Sequence, residues 1–152
     1  MEIQLVTIEN RRAGGKKHAG GDWLLDYARR IGHFCRFRHE VLPSEPALLL
    51  ACERSSGRMP PYLVLLDSRG RQMTSEALAA WLGKQQDAGT QRILFAVGPA
   101  DGWSEGACQR ANLLLSLGPM TLAHELAAVV LSEQIYRAFT ILKGLPYHLQ
   151  HR

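Results

Sequence analysis

Three short stretches join glycine to the end of an apolar run, and chemistry is expected there first: Leu66-Asp67-Ser68-Arg69-Gly70, Val97-Gly98-Pro99-Ala100-Asp101-Gly102 and Leu117-Gly118-Pro119-Met120-Thr121. In an open α/β sheet, ligands settle in the crevice beyond the carboxyl ends of the strands, so turns at these points are the expected cofactor walls. Neither G-x-G-x-x-G nor a Walker A pattern is present, which argues against a dinucleotide or triphosphate loop. The six histidines form no four-ligand zinc pattern, since three precede residue 40 and the others are His124, His148 and His151. No metal is expected. The close pair His148-x-x-His151 reads most simply as a polar chain end. Arg11, Arg12, Lys16 and Lys17 stand among four glycines. That stretch is either a loop that closes on phosphates by releasing counterions or a solvated surface loop. Glu133 and Arg137, four residues apart, read as a helix-surface ion pair worth about 0.2–0.5 kcal/mol.

The elements that must position these residues follow from hydropathy periods. Glu2 to Ile8 alternate as a half-buried strand, and Gly14 to Gly21 break it. Asp22 can cap a helix whose Leu24, Tyr27, Ala28 and Ile31 share one face. Phe34 to Val41 alternate again, as a strand with one wetter face. Ala47 to about Ser56 reads as a short helix. Tyr62–Leu66 and Ile93–Val97 are continuous apolar runs, expected as parallel, central strands covered on both faces. Thr74 or Ser75 caps the helix between them, completing a strand-helix-strand crossover. A helix is expected from Ser104 to about Ala111, a short strand from Leu113 to Leu117, and a last helix from about Leu122 to Lys143. That last helix is apolar nearly all round between Leu126 and Leu131, so its own domain or a second subunit must cover it on several sides.

The whole chain bounds the answer further. At 152 residues with 46% hydrophobic and 21% charged residues, it reads as one ordinary globular domain spanning residues 1–152. Its net charge of +4 permits an anionic partner without naming one. Cys35, Cys52 and Cys108 are odd in number and far apart, as expected of reduced thiols. No apolar run approaches the roughly 18 residues of a spanning helix, and the amino terminus lacks an export signal. A cytoplasmic protein with no membrane partner is expected.

Five motifs occur in one order: Leu65-Leu66-Asp67-x-x-Gly70, Phe95-Ala96-Val97-Gly98-x-x-x-Gly102, Leu115-Ser116-Leu117-x-x-Met120-Thr121-Leu122-x-His124, Glu133-Gln134-x-Tyr136-Arg137-Ala138 and Pro146-Tyr147-His148. Together they resemble the ribosomal RNA large-subunit methyltransferase H family of the SPOUT superfamily, loosely before Pro60 and closely after it. The resemblance implies a SPOUT-type α/β fold, a parallel sheet flanked by helices with a C-terminal trefoil knot, working as a homodimer. It implies transfer of a methyl group from S-adenosylmethionine to N3 of a pseudouridine in the helix 69 loop of 23S rRNA, within the assembled ribosome.

The matching positions assign roles. The cofactor is expected against Leu66, Gly98, Pro99, Gly118, Pro119, Met120, Thr121, Leu122 and Ala123, held mostly by backbone groups. Arg11, Arg12, Lys16 and Lys17 are the expected RNA contacts. His124, Arg137, Tyr147 and His148 are the expected catalytic set. One of the two histidines would take the N3 proton; His124 fits equally a helix-start residue satisfied by backbone. Tyr147 would stack on the splayed base or anchor a packed tail. Arg137 would hold a phosphate, tie the dimer or simply pair with Glu133. Two positions depart from the resembled pattern: Pro99 replaces a glycine, and Ala128 stands where many members carry an arginine. A non-catalytic ribosome-binding dimer and a small nucleotide-binding regulator are the rival readings.

Overall fold

The computed structural model describes residues 1–9, 21–53 and 57–151. Its elements are β1 (Glu2–Ile8), α1 (Gly21–Ile31), β2 (Arg36–Leu42), α2 (Glu45–Glu53), β3 (Tyr62–Gln72), α3 (Ser75–Asp87), β4 (Arg92–Val97), α4 (Glu105–Arg110), β5 (Leu113–Ser116), α5 (His124–Leu142) and α6 (Tyr147–Gln150). The five strands form one sheet in the order β2-β1-β4-β3-β5. Every neighbouring pair is parallel, so all carboxyl ends share one edge.

The sheet is covered on both faces because its inner strands are apolar at odd and even positions alike. Ile3, Leu5, Val64, Ile93, Phe95 and Val97 point to the face packed by α1, α3 and α5. Val6, Ile8, Leu63, Leu65, Leu94 and Ala96 point to the other, where Leu48 of α2 and Ala107 of α4 meet them. β1, expected as half-buried, therefore lies inside the sheet with both faces occupied. β2 is an edge strand with the wetter exposure expected of it.

Two local features differ from the sequence expectation. The stretch Asp67–Gly70 is not a turn: β3 runs on to Gln72, and its pairing with β5 jumps from Leu66 to Arg71, so residues 67–70 form an excursion within one strand. Gly70 makes this possible, since a Cβ there would sit 2.5 Å from the Leu114 carbonyl carbon. The last helix starts at His124, and its N-cap Ala123 offers no side-chain acceptor. By contrast Thr74 caps α3 through its hydroxyl, which accepts from the Ala77 amide at 3.0 Å.

On α5, Ala127, Ala128, Leu131, Ile135, Ala138 and Phe139 form the buried stripe. The opposite side is largely covered as well, Thr140 and Arg137 being buried there, and Leu126 near the start of the helix is 51% exposed. No helix among the described residues is long and apolar enough to cross a membrane. All three cysteines are free thiols, and burial pushes that of Cys35 up to about 11.

Candidate active site

The carboxyl ends of β4, β3 and β5 open into a cleft of about 450 Å³, a size suited to a small molecule. Its walls are Leu66–Ser68, most of the 97–103 loop, and most of the 116–124 segment, with Ala127 of α5 behind them. Leu66, Gly98, Pro99, Gly118, Met120, Thr121, Leu122 and Ala123 all line this one space. Pro119 lies between two lining residues and is itself exposed. Pro99 gives up no turn bond by lacking an N–H, since the loop uses its carbonyl, which accepts from the Gly102 amide at 2.9 Å.

The cleft wall is built by contacts no motif announces. Trp103 is buried, and its indole Nε1 donates to the Leu66 carbonyl at 2.9 Å. The ring lies so close to Gly98 that a Cβ there would meet Trp103 Cε2 at 2.6 Å. Glycine at 98 thus lets the 97–103 loop fold flat over the end of β4. Gly118 has φ +129°, a conformation side chains rarely adopt. The Ser116 hydroxyl braces this turn, accepting from the Gly118 amide and donating to its carbonyl, both at 3.1 Å. The 67–70 excursion is fixed by Arg69, whose Nε and Nη2 grip the two Asp67 carboxylate oxygens at 2.9 Å each. This grip holds the Asp67 carboxyl below the usual carboxylate range. Arg69 also reaches the Trp103 carbonyl at 3.3 Å and Cys108 Sγ at 3.1 Å, tying the two loops together. Trp103, Asp67 and Ser116 are absent from the expected cofactor contacts; the hint available was their place within or beside the three glycine turns.

The residues expected to be catalytic fall in two places. His124 opens α5 and lines the cleft. Its Nε2 is buried and has no hydrogen-bond partner among the described residues. Arg137, Tyr147 and His148 gather at the other end of α5, about 20 Å away along the helix axis. Glu133 Oε1 accepts from Arg137 Nη2 at 2.8 Å, Arg137 Nε at 3.0 Å and the Tyr147 hydroxyl at 3.0 Å. This pair is no surface bridge: the side chains of Arg137 and Glu133 are only 10% and 17% exposed. The small surface value therefore does not describe it. The Arg137 guanidinium also lies over the Tyr147 ring, 5.0 Å from its centroid. Tyr147 packs edge-on against Tyr136 with centroids 4.8 Å apart. Burial, then hydrogen bonds to Tyr27 and Glu133, raise the phenol well above its ordinary value.

Both ring nitrogens of His148 are engaged, Nδ1 with Arg137 Nη1 at 2.9 Å and Nε2 with Glu76 Oε1 at 2.8 Å. A guanidinium can only donate, so Nδ1 accepts and the ring proton sits on Nε2, donated to Glu76. His151 shares the tail with Tyr147, ring centroids 4.7 Å apart. No group of three or more potential metal ligands occurs among the described residues. Arg11, Arg12, Lys16 and Lys17 lie outside the described residues. Ala128 is buried in the core-facing stripe of α5, so this departure falls on the packed side of the helix.

Comparison with known proteins gives a consistent set of likenesses. A family model described as "Predicted SPOUT methyltransferase" matches residues 1–148. The chain is 48% identical over 151 residues to the Ribosomal RNA large subunit methyltransferase H of Koribacter versatilis, covering 99% of this chain and 100% of that one. It is 43% identical over 156 residues to the protein of the same name from Pelobacter propionicus, covering 97% of this chain and 99% of that one. A probable methylase family protein of known structure from Haemophilus influenzae shares the fold at 16% identity, with a TM-score of 0.53 over 95% of this chain and 69% of that one.

Proposed function

The chain belongs to the SPOUT methyltransferase family, and from that premise we infer that it is an S-adenosylmethionine-dependent methyltransferase of large-subunit ribosomal RNA. The nucleotide methylated is a pseudouridine, at N3, in the helix 69 loop of 23S rRNA in the assembled ribosome. The observation that carries this reading is the near full-length likeness to relatives named for that activity. The cleft at the carboxyl ends of β4, β3 and β5 supports it.

The cleft fits the cofactor. Its lining is largely apolar, glycine at 98 leaves the wall without a side chain, and the Gly118–Ala123 segment presents backbone along one side. Leu66, Gly98 and the 118–123 loop would hold the adenine and methionine ends. Bound there, S-adenosylmethionine supplies a methyl group on a positively charged sulfur. His124, at the rim of α5, orients the donor end. Tyr147 and Arg137 hold the tail against the incoming nucleotide, and His148 accepts the N3 proton as the new bond forms. A base so placed contributes about 10²–10⁴-fold; positioning of the two reactants contributes much of the rest.

His124 and the tail cluster are too far apart within one chain to act on one nucleotide. A homodimer resolves this, with the cleft of one protomer completed by the Arg137–Tyr147–His148 tail of its partner. The exposed Leu126 near the start of α5 supports such pairing. The C-terminal trefoil knot belongs to the same reading, supported by the family to which the chain belongs. The Arg11–Lys17 stretch supplies phosphate contacts, and the protein works in the cytoplasm where ribosomes are. Ribosomes lacking the mark, incubated with protein and S-adenosylmethionine, gain one methyl group on the helix 69 fragment by mass spectrometry. Unmodified fragments, when a relative modifies the same ribosomes, would overturn the reading.

A further inference from the structure

Glu76 belongs to the tail cluster although none of the five motifs includes it. It lies in the first turn of α3, 72 residues before His148 in sequence, yet its carboxylate meets Nε2 at 2.8 Å. Its own place is well defined. Its hydrogen bond to His148, then its own backbone amide at the start of α3 and last the Thr74 hydroxyl, hold its carboxyl below the usual range. The side chain of Glu76 is 65% exposed, whereas that of His148 is only 16% exposed. The carboxylate is thus a bracket set from the surface onto a ring packed in the tail.

We propose that Glu76 is a positioning residue for methyl transfer: by accepting from Nε2 it holds the His148 ring, with its proton on Nε2, when the substrate takes the place of Arg137 at Nδ1. The proposal rests on the assignment of His148 as proton acceptor. In the free protein, Arg137 Nη1 donates to Nδ1 at 2.9 Å. In the complex, the N3–H of the base takes that place, and Arg137 keeps its two bonds to Glu133. N3 gives its proton to Nδ1, its electron pair takes the methyl group, and the sulfur keeps the pair of the broken S–C bond. The ring then carries protons on both nitrogens, with the Nε2 proton still on Glu76, the arrangement by which a carboxylate orients a catalytic imidazole in hydrolase triads. Among the described residues no other group is bonded to Nε2. Without Glu76, Arg137 still sets the tautomer of the free protein, but once the substrate displaces it no partner keeps the proton on Nε2 or the ring in place.

The test pairs a spectroscopic readout with kinetics on the full-length protein. In ¹⁵N-labelled protein, long-range imidazole correlations assign the His148 tautomer. All three proteins keep the Nε2–H form in the free state, because Arg137 still donates to Nδ1; the Nε2 proton stays protected from solvent exchange in wild type and in Glu76→Gln, whose amide oxygen can accept in the same place, and exchanges about tenfold or more faster in Glu76→Ala. On ribosomes lacking the mark, E76A lowers kcat about tenfold or more with little change in KM, as expected when an acceptor's alignment is lost. E76Q recovers most of the rate. Thermal melts of both variants establish that they fold. The proposal is overturned if the Nε2 proton of E76A exchanges as slowly as that of wild type, if E76A keeps the wild-type kcat, or if E76Q fails to restore either. Wild-type protein inert on ribosomes would instead overturn the proposed function, and the exchange spectra would still decide whether Glu76 holds the ring.

Discussion

Replacing Gly98 by alanine tests the cleft wall most directly. The added Cβ would lie 2.6 Å from Trp103 Cε2 and 2.7 Å from Nε1, against about 3.5–4.0 Å for a relaxed carbon contact. Gly98 does not have positive φ, so alanine meets no backbone strain and the whole effect comes from the ring. The indole must retreat by about 1 Å, which strains a buried side chain by about 1–3 kcal/mol. Its Nε1 bond to the Leu66 carbonyl, now 2.9 Å, is stretched, adding about 1 kcal/mol. The sum, about 2–4 kcal/mol, lowers Tm by roughly 5–15 °C in a chain of this length. The displaced ring also intrudes on the cleft, so titration calorimetry is expected to find S-adenosylmethionine binding weakened about tenfold or more. A double-mutant cycle with Trp103→Leu isolates the contact: with the ring gone, Gly98→Ala costs less than about 0.5 kcal/mol. A G98A protein that melts within about 2 °C of wild type, or an equal cost in both backgrounds, would show that the contact with the Trp103 ring does not set the cost.

Gly70→Ala is a harsher case, because its Cβ would meet backbone atoms of Leu114 and Leu115 at 2.5–2.7 Å and no side chain can turn away; insoluble protein, or a loss above about 3 kcal/mol in denaturant titration, is expected. Arg137→Lys keeps a charge but cannot bridge Glu133, His148 and the His151 carbonyl together; methyl transfer is expected to fall about tenfold or more while circular dichroism stays native. Because Asp67 titrates below its ordinary 3.8, its pairing with Arg69 stabilises the fold above that pH and loses this effect as pH falls through the lowered value. Asp67→Asn is therefore less stable than wild type at pH 7 and converges with it in acid, as urea titrations across pH would record. Tyr147 has the opposite sign: its contribution is present below the ordinary 10.0 and fades as pH rises beyond it. Ultraviolet titration is expected to find one late-ionising tyrosine that Tyr147→Phe removes.

Much of the scaffold is legible without coordinates because it rests on local periodicity. Tyr62–Leu66 and Ile93–Val97 are apolar at every position, and only a parallel sheet with two covers can bury both sides of such a strand. Thr74 and Ser104 cap α3 and α4 through hydroxyls that the sequence already offers. Gly98, Gly118 and Leu66 stand at strand ends, where a parallel sheet collects its ligand walls.

What local pattern does not carry is the meeting of distant groups. The excursion at Asp67–Gly70 looks like a turn in sequence, because its polar and glycine content is turn-like. Only the neighbouring strand β5 draws the chain back into the sheet at Arg71. Trp103 becomes a cleft wall because the carbonyl of Leu66, 37 residues earlier, lies within reach of its indole. The Glu133–Arg137 spacing suggests a surface pair, yet the tail folds over it and takes it out of water. Glu76 and His148 come together only through the packing of α3 and α6 around α5. Short-range sterics and burial make the strands, the Thr74 and Ser104 caps and the strand-end glycines readable from sequence. Which distant groups share a site is a matter of tertiary packing, because bonds such as Trp103 to Leu66 and His148 to Glu76 join atoms whose separation along the chain exceeds any local period.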